Sequence, residues 1–202
     1  MMTESSLSFR ARSDAPALDS ALFWSQRGRP IVNRLVAPGD EDKIANLLAG
    51  LSARSLFLRY GLPMPRMAPE SVAREAARLG QLHSIQHITA VAVACIQGVD
   101  QVIAVAELAC DGGSPEVAEL ALVVADAYQR EGIGSAICSY LVAMARRQGL
   151  ATLKAMALAE NTAVRRMLAR SGAPYTAETR QGMTTIQIDL RAGAPMGAAA
   201  SA

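Results

Sequence analysis

Three runs of strand-forming residues follow one another with connections too short for anything but tight reversals. "HITAVAVACI" from His87, "VIAVAELAC" ending at Cys110 and "VAELALVV" from Val117 are separated only by "QGVDQ" and "DGGSPE". A parallel pair needs a crossover of roughly a dozen residues or more, so these runs can only form an antiparallel meander. Turn-forming glycines in both connections agree with that. Everything else in the chain has to pack around this sheet.

The third run stops at Asp126, and after the turn "QREGIG" the apolar period changes. Ile133, Ala136, Ile137, Tyr140, Leu141 and Met144 lie at helical spacing, one stripe of an amphipathic helix that stops near Gly149. "LATLKAMAL" then reads as a strand and "NTAVRRMLARSG" as a helix capped by Asn161 or Thr162 and stopped by Gly172. "YTAETRQGMTTIQIDL" reads as a closing hairpin with Ile186, Ile188 and Leu190 inward. Upstream, "IVNRLVA" from Ile31 is strand-like, and Asp40 stands as the cap of a helix carrying Ile44, Leu47, Leu48 and Leu51. "SARSLFLRY" reads as a short helix, and "PESVAREAARLG" runs from a first-turn proline to Gly80. The order is one strand, two or three helices, a three-stranded meander, then helix, strand, helix and hairpin. This predicts an α/β (α+β) fold: a mixed, mostly antiparallel twisted sheet of six to seven strands with helices on both faces, and not a doubly wound sheet.

The chain is long enough for one domain with a sizeable core, and no linker divides it. We expect a mobile segment over 1–29, the folded domain over 30–191 and a flexible tail over 192–202. Hydrophobic residues make up 51% and aromatics only 4%, so Ala, Val, Leu, Ile and Met must fill the core. A formal charge of +2 with no long basic run argues against nucleic acid as partner. No apolar run reaches membrane-spanning length and the N-terminus lacks a signal-peptide pattern, which points away from a membrane and toward the cytoplasm. The three cysteines, Cys95, Cys110 and Cys138, show neither a disulfide framework nor a ligand spacing. His83 and His87 read as packing residues, and no metal is expected. Cys138 reads as a small core residue.

A strand that ends in a glycine-bearing turn and opens a helix leaves the first amides of that helix unpaired and convergent, an arrangement that suits phosphate. Gly132 and Gly134 let the backbone approach a bulky anion, and Arg130 adds positive charge. A P-loop is excluded because no lysine follows the second glycine. A dinucleotide fingerprint is excluded because the third glycine is absent.

"QREGIG" in this setting resembles the Q/R-x-x-G-x-G/A signature of the GNAT acyl-CoA-dependent N-acetyltransferases. Over roughly Ile31 to Leu190 the chain is similar to that family. "LSARSLFLRY", "AELALVVADAYQREGIGSAI" and "LAENTAVRRMLARSG" look most like the acetyltransferase domain of bacterial Pat-type protein lysine acetyltransferases. The resemblance implies acetyl-CoA as co-substrate. It implies that Val123 and Val124 offer backbone groups to the pantetheine arm where two strands splay. It implies further that the amides of Gln129, Arg130, Glu131, Gly132, Ile133, Gly134 and Ser135 bind the pyrophosphate, and that Asn161 contacts the cofactor.

Acetyl transfer needs a neutral amine, yet a free lysine is almost wholly protonated at neutral pH, so a base is required. Glu119, between apolar residues on the strand before the turn, is the expected general base, activated by burial. The resemblance implies the same role for it. Glu107 is the competing carboxylate, or a residue lining the acceptor groove. Many members of the family carry a tyrosine as general acid where this chain has Leu168. Tyr175, water or unassisted thiolate departure all remain open as substitutes. Arg165, Arg166 and Arg170 read as a solvated face or as contacts to a ribose phosphate. The expected acceptor is a protein lysine, with a small amine second. A non-catalytic acyl-CoA-binding regulatory module is the alternative from another class. The oligomeric state, a homodimer included, stays open.

Overall fold

The computed structural model describes residues 20–81, 87–110, 114, 116–171 and 174–191, with the backbone alone at 168–171. Among the described residues eight strands form one sheet. They are β1 (Ser20–Trp24), β2 (Pro30–Leu35), β3 (His87–Ile96), β4 (Val99–Cys110), β5 (Val117–Val124), β6 (Thr152–Leu158), β7 (Tyr175–Arg180) and β8 (Met183–Asp189). The spatial order is β1-β2-β3-β4-β5-β6-β8-β7. Every pairing is antiparallel except β5 with β6. That one is parallel because the helix α4 (Ile133–Arg147) supplies the crossover.

Strand alternation divides the core in two. Ala104, Ala106, Leu108, Ala118 and Leu120 face α4, meeting Ile133, Ile137, Leu141 and Ala145, while Val164 and Met167 of α5 (Thr162–Ser171) pack at the margin. On the other face Val91, Val93, Val105 and Val123 meet α1 (Glu41–Ala49), α2 (Ala53–Tyr60) and α3 (Pro69–Leu79) through Ile44, Leu48, Leu56 and Leu79. The side chains on the sheet are short, so both helix layers approach closely. That is how a chain with few aromatics closes its core. The β3–β4 reversal is tighter than "QGVDQ" suggests: Gln97 and Gly98 alone make the turn, both at positive φ, 53° and 80°. Such a two-residue turn starts the β3–β4 pairing at Ile96 opposite Val99, and beyond a register shift at Ala92/Val93 Glu107 stands opposite Thr89.

Two expectations change. The sheet has one strand more than six to seven, because Ser20–Trp24 pairs with β2 ahead of the first strand read from the sequence. "SALFW" hides its alternation: Ala21 and Phe23 pack on the core while Leu22 and Trp24, 63% and 65% exposed, are also apolar. Asp40 does precede α1, but its carboxylate makes no cap. It accepts from both amino groups of Arg34, at 2.5 and 2.9 Å, and from the Ala37 amide at 2.9 Å. A charge-assisted fork outcompetes a neutral amide. His83, Gly172, residues 1–19 and the tail from 192 lie outside the described residues, as do the side chains of Leu168 and Arg170.

Candidate functional site

β5 and β6 pair over three positions only, from Val117 opposite Thr152 to Glu119 opposite Lys154. Both strands continue, β5 to Val124 and β6 to Leu158, so they form a fork whose β5 edge runs from Leu120 to Val124. Backbone groups there face no partner strand, which is the state in which an extended amide-bearing ligand can pair with them. A short 3-10 turn, Asp126–Tyr128, and the "QREGIG" turn then lead into α4. Arg130 and Gly132 both take positive φ, 64° and 86°. For Arg130 this costs about 1 kcal/mol or more, strain of the kind the surrounding structure must hold in place. At Gly134 the backbone is unstrained, and an added Cβ would meet only Val124 and Leu122 side chains at 3.6 and 3.8 Å, ordinary contact. Packing inside the protein does not require glycine there. The unpaired β5 edge and the two glycines at the helix start beside it fit a pantetheine arm ending in a pyrophosphate.

Two sets of contacts hold the turn. Glu131, 1% exposed, points back into the β1–β2 hairpin, where Ser25 Oγ donates to it at 2.9 Å and the Gln26 amide donates to its carbonyl at 3.0 Å. Arg27 and Arg29 reach the same carboxylate with Nε at 3.5 and 3.7 Å. On the opposite side Asp126 accepts from the Ser52 amide and hydroxyl at 2.9 and 2.6 Å and from the Ser55 hydroxyl at 2.8 Å. Gln129 donates to Ser55 Oγ at 2.9 Å and to the Val124 carbonyl at 3.1 Å. Ser52 also caps α2 by accepting from the Ser55 amide at 3.2 Å. The start of α2 is thereby tied to the cofactor turn. None of Ser25, Ser52, Ser55 or Asp126 is marked by the sequence as functional. The only sequence signal was a serine at each helix-entry or turn position.

The two candidate carboxylates share the face of the sheet that carries Val105 and Val123, yet their surroundings differ. Glu107 is buried and locked. Arg78 donates to its two oxygens at 2.7 and 3.0 Å, Arg59 forms a further close ion pair, and His87 Nε2 lies 3.0 Å away. Burial alone would raise its carboxyl pKa, but these partners hold it down at about 2. A carboxylate held that far down is a poor proton acceptor at neutral pH. Glu107 therefore acts as the ionic hub joining α2 and α3 to β4, with Glu75 bound to the other side of Arg78 at 2.8 Å. Glu119 is exposed, not buried as its apolar neighbours suggest, because the fork opens beside it. It stands in a cross-sheet row with His87 and Ala109 on one side and Lys154 and Gln187 on the other. An open groove of about 430 Å³, lined by Tyr60, Leu62, Met64, Met67, Arg74 and Glu75 among others, lies between α2 and α3 where "FLRYGLPMPRM" passes.

The remaining sequence candidates separate. Val123 is buried against the α1–α3 core and Val124 packs toward α4, so only their backbones face the fork. Asn161 sits at the end of β6 as the cap of α5, accepting from the Val164 amide at 3.5 Å. Tyr175 opens β7, with β8 standing between it and β6, so it is not brought to the fork. Arg166 turns back to Thr162 at 3.2 to 3.3 Å and Arg165 is exposed. Among the described residues no group of three or more His, Cys, Asp or Glu could hold a metal, and no described helix is long and apolar enough to cross a membrane.

A family model described as "Acetyltransferase (GNAT) family" matches residues 62–173. A curated relative, acetyltransferase Pat of Mycolicibacterium smegmatis, is 28% identical over 159 residues, 78% of this chain and 45% of that protein. The chain thus spans less than half the length of this relative. The crystal structure of the GNAT domain of S. lividans PAT superposes with a TM-score of 0.73 at 22% identity, covering 87% of this chain and 99% of that one. A cAMP-binding acyltransferase from Mycobacterium smegmatis gives 0.55 at 25% identity, covering 85% and 47%. yncA from Salmonella typhimurium, solved with its cofactor acetyl-CoA, gives 0.57 at 20% identity, covering 82% and 97%.

Proposed function

Because the chain belongs to the acetyltransferase (GNAT) family, we propose that it transfers an acetyl group from acetyl-CoA to an amine, with a protein lysine side chain as the favoured acceptor and Glu119 as general base. The observation that carries this reading is the β5–β6 fork: its apex holds a carboxylate and its open end meets the "QREGIG" turn. The unpaired edge from Leu120 to Val124 binds the pantetheine amides. The amides of residues 129–135 take the pyrophosphate, and Asn161 borders the fork from the β6 side. Acetyl-CoA supplies the activated acyl group. Glu119 accepts a proton from the acceptor ammonium, directly or through a water, so that the neutral amine can attack.

Similarity to a Pat acetyltransferase over 78% of this chain supports the protein-lysine acceptor. So does the shape of the acceptor side. The polar row across the sheet is open, and the groove between α2 and α3 has apolar walls of Leu62, Met64 and Met67 that suit a residue flanking the acceptor lysine. The deciding experiment measures release of free CoA from acetyl-CoA against panels of lysine peptides and small amines, with Glu119→Gln beside wild type. Turnover on lysine peptides that fails in Glu119→Gln is expected. Turnover on small amines alone would move the acceptor class. Acetyl-CoA binding without turnover on either panel would leave a binding module.

A further inference from the structure

The β1–β2 hairpin lies outside the stretch that the family model matches, yet it is bolted to the cofactor turn. Its anchor is unusual in charge. Glu131 is almost fully buried immediately behind a turn shaped for an anion, where an uncompensated carboxylate would repel phosphate. One cation would cancel it, but the hairpin brings two, Arg27 and Arg29. Neither is consumed by the pairing. Contacts of 3.5 and 3.7 Å are longer than a charge-assisted hydrogen bond, the hydrogen bond to Glu131 comes from Ser25, and the nearest approach of each guanidinium is its Nε edge. Their side chains are 66% and 46% exposed. The Arg29 guanidinium lies over the Tyr128 ring at 5.4 Å, which fixes it beside the turn. On the hairpin side of the turn, two guanidinium groups against one carboxylate leave a surplus of one positive charge.

We propose that Arg27 and Arg29 form a phosphate-reading wall for the nucleotide end of CoA, contacting its 3′-phosphate. This rests on the reading that the adjacent turn takes the CoA pyrophosphate. The turn's amides satisfy the two phosphates of that linkage. The third phosphate, on the ribose, is the one left for side chains that flank the turn, and the planar fork of arginine matches its oxygens. Glu131 orients both arginines through their Nε edges and leaves their amino groups outward.

Calorimetry separates this wall from the site it flanks. Wild type, Arg27→Gln, Arg29→Gln and the double variant are titrated with CoA and with 3′-dephospho-CoA. Wild type is expected to bind CoA about tenfold or more tightly than the dephospho form, and the double variant is expected to lose that preference while still binding both. Adding Glu131→Gln to the double variant removes the carboxylate left uncompensated, so a folding defect in the double variant does not decide the outcome. Preference for the 3′-phosphate retained in the folded double or triple variant overturns the inference. Equal loss of both ligands overturns it as well, assigning the arginines to the pyrophosphate. Failure of wild type to bind CoA at all would instead remove the functional reading on which this one stands.

Discussion

Glu119 and Lys154 are the last pair in register before β5 and β6 part, so the proposed base and one of only two lysines in the chain stand side by side on the same face at the apex of the fork. In paired strands such residues lie about 5 Å apart. Glu119→Gln should leave acetyl-CoA affinity close to wild type while turnover falls by about a hundred- to ten-thousandfold. The loss should be greatest near neutral pH and shrink toward the acceptor amine's own pKa, where solvent supplies neutral nucleophile. A pH-independent loss in Glu119→Gln would assign the residue to positioning.

Gly134 and Gly132 should answer differently to the same change. Gly134→Ala meets only side chains at ordinary contact distance, so its Tm should stay near wild type while acetyl-CoA binds more weakly, the methyl group intruding on the ligand alone. Gly132→Ala must hold a side chain at φ +86°, which should cost about 1 kcal/mol of stability even without ligand. Gly134→Asp adds charge to volume and should abolish measurable binding. Unchanged acetyl-CoA affinity in a folded Gly134→Asp protein would move the pyrophosphate elsewhere.

The three cysteines form no disulfide and should react in order of exposure. Cys95 is exposed and Cys110 intermediate. Cys138 is buried in the α4 core, where burial pushes its thiol up to about 12. A disulfide-exchange reagent at mildly alkaline pH should label Cys95 within the mixing time and Cys110 more slowly, its thiol also raised by burial. Cys138 should be labelled only on unfolding, since the thiolate is the reactive form. Labelling of Cys138 at the rate of Cys95 in native protein would contradict its place in the core.

The meander, the α4 stripe and the closing hairpin were legible because each rests on local pattern. Short connections force antiparallel strands, and one apolar stripe forces one helix face. The fork was legible only through the family resemblance, since nothing in "AELALVV" or "LKAMAL" marks where their pairing stops. Glu107 and Glu119 could not be told apart by their apolar flanks. What separates them is long-range: Arg59 and Arg78 arrive from α2 and α3, far away in sequence, and converge on one carboxylate. β1 escaped because five apolar or small residues show no alternation, and its inward face exists only once β2 pairs with it.

Glu107 yields the sharpest stability prediction. Its carboxyl is held near 2 in the folded protein against an ordinary 4.5, by Arg78, His87 and Arg59 acting against the cost of burial. A depressed folded pKa means that the stabilisation is complete above about 4.5 and is lost as pH falls toward 2, where folded and unfolded chains are both protonated. At about 1.4 kcal/mol per pH unit the whole contribution is on the order of 3 kcal/mol. Glu107→Ala should cost about that much or more at pH 7, because Arg59 loses its carboxylate partner and Arg78 keeps only Glu75. Glu107→Gln, which keeps the shape and part of the hydrogen bonding, should cost less. Thermal melts of wild type and Glu107→Gln should differ most at pH 6 to 7, and their Tm values should converge between pH 4.5 and 2. A gap that stays constant across that interval would mean that the carboxylate's charge contributes nothing and that the hub is held by packing alone.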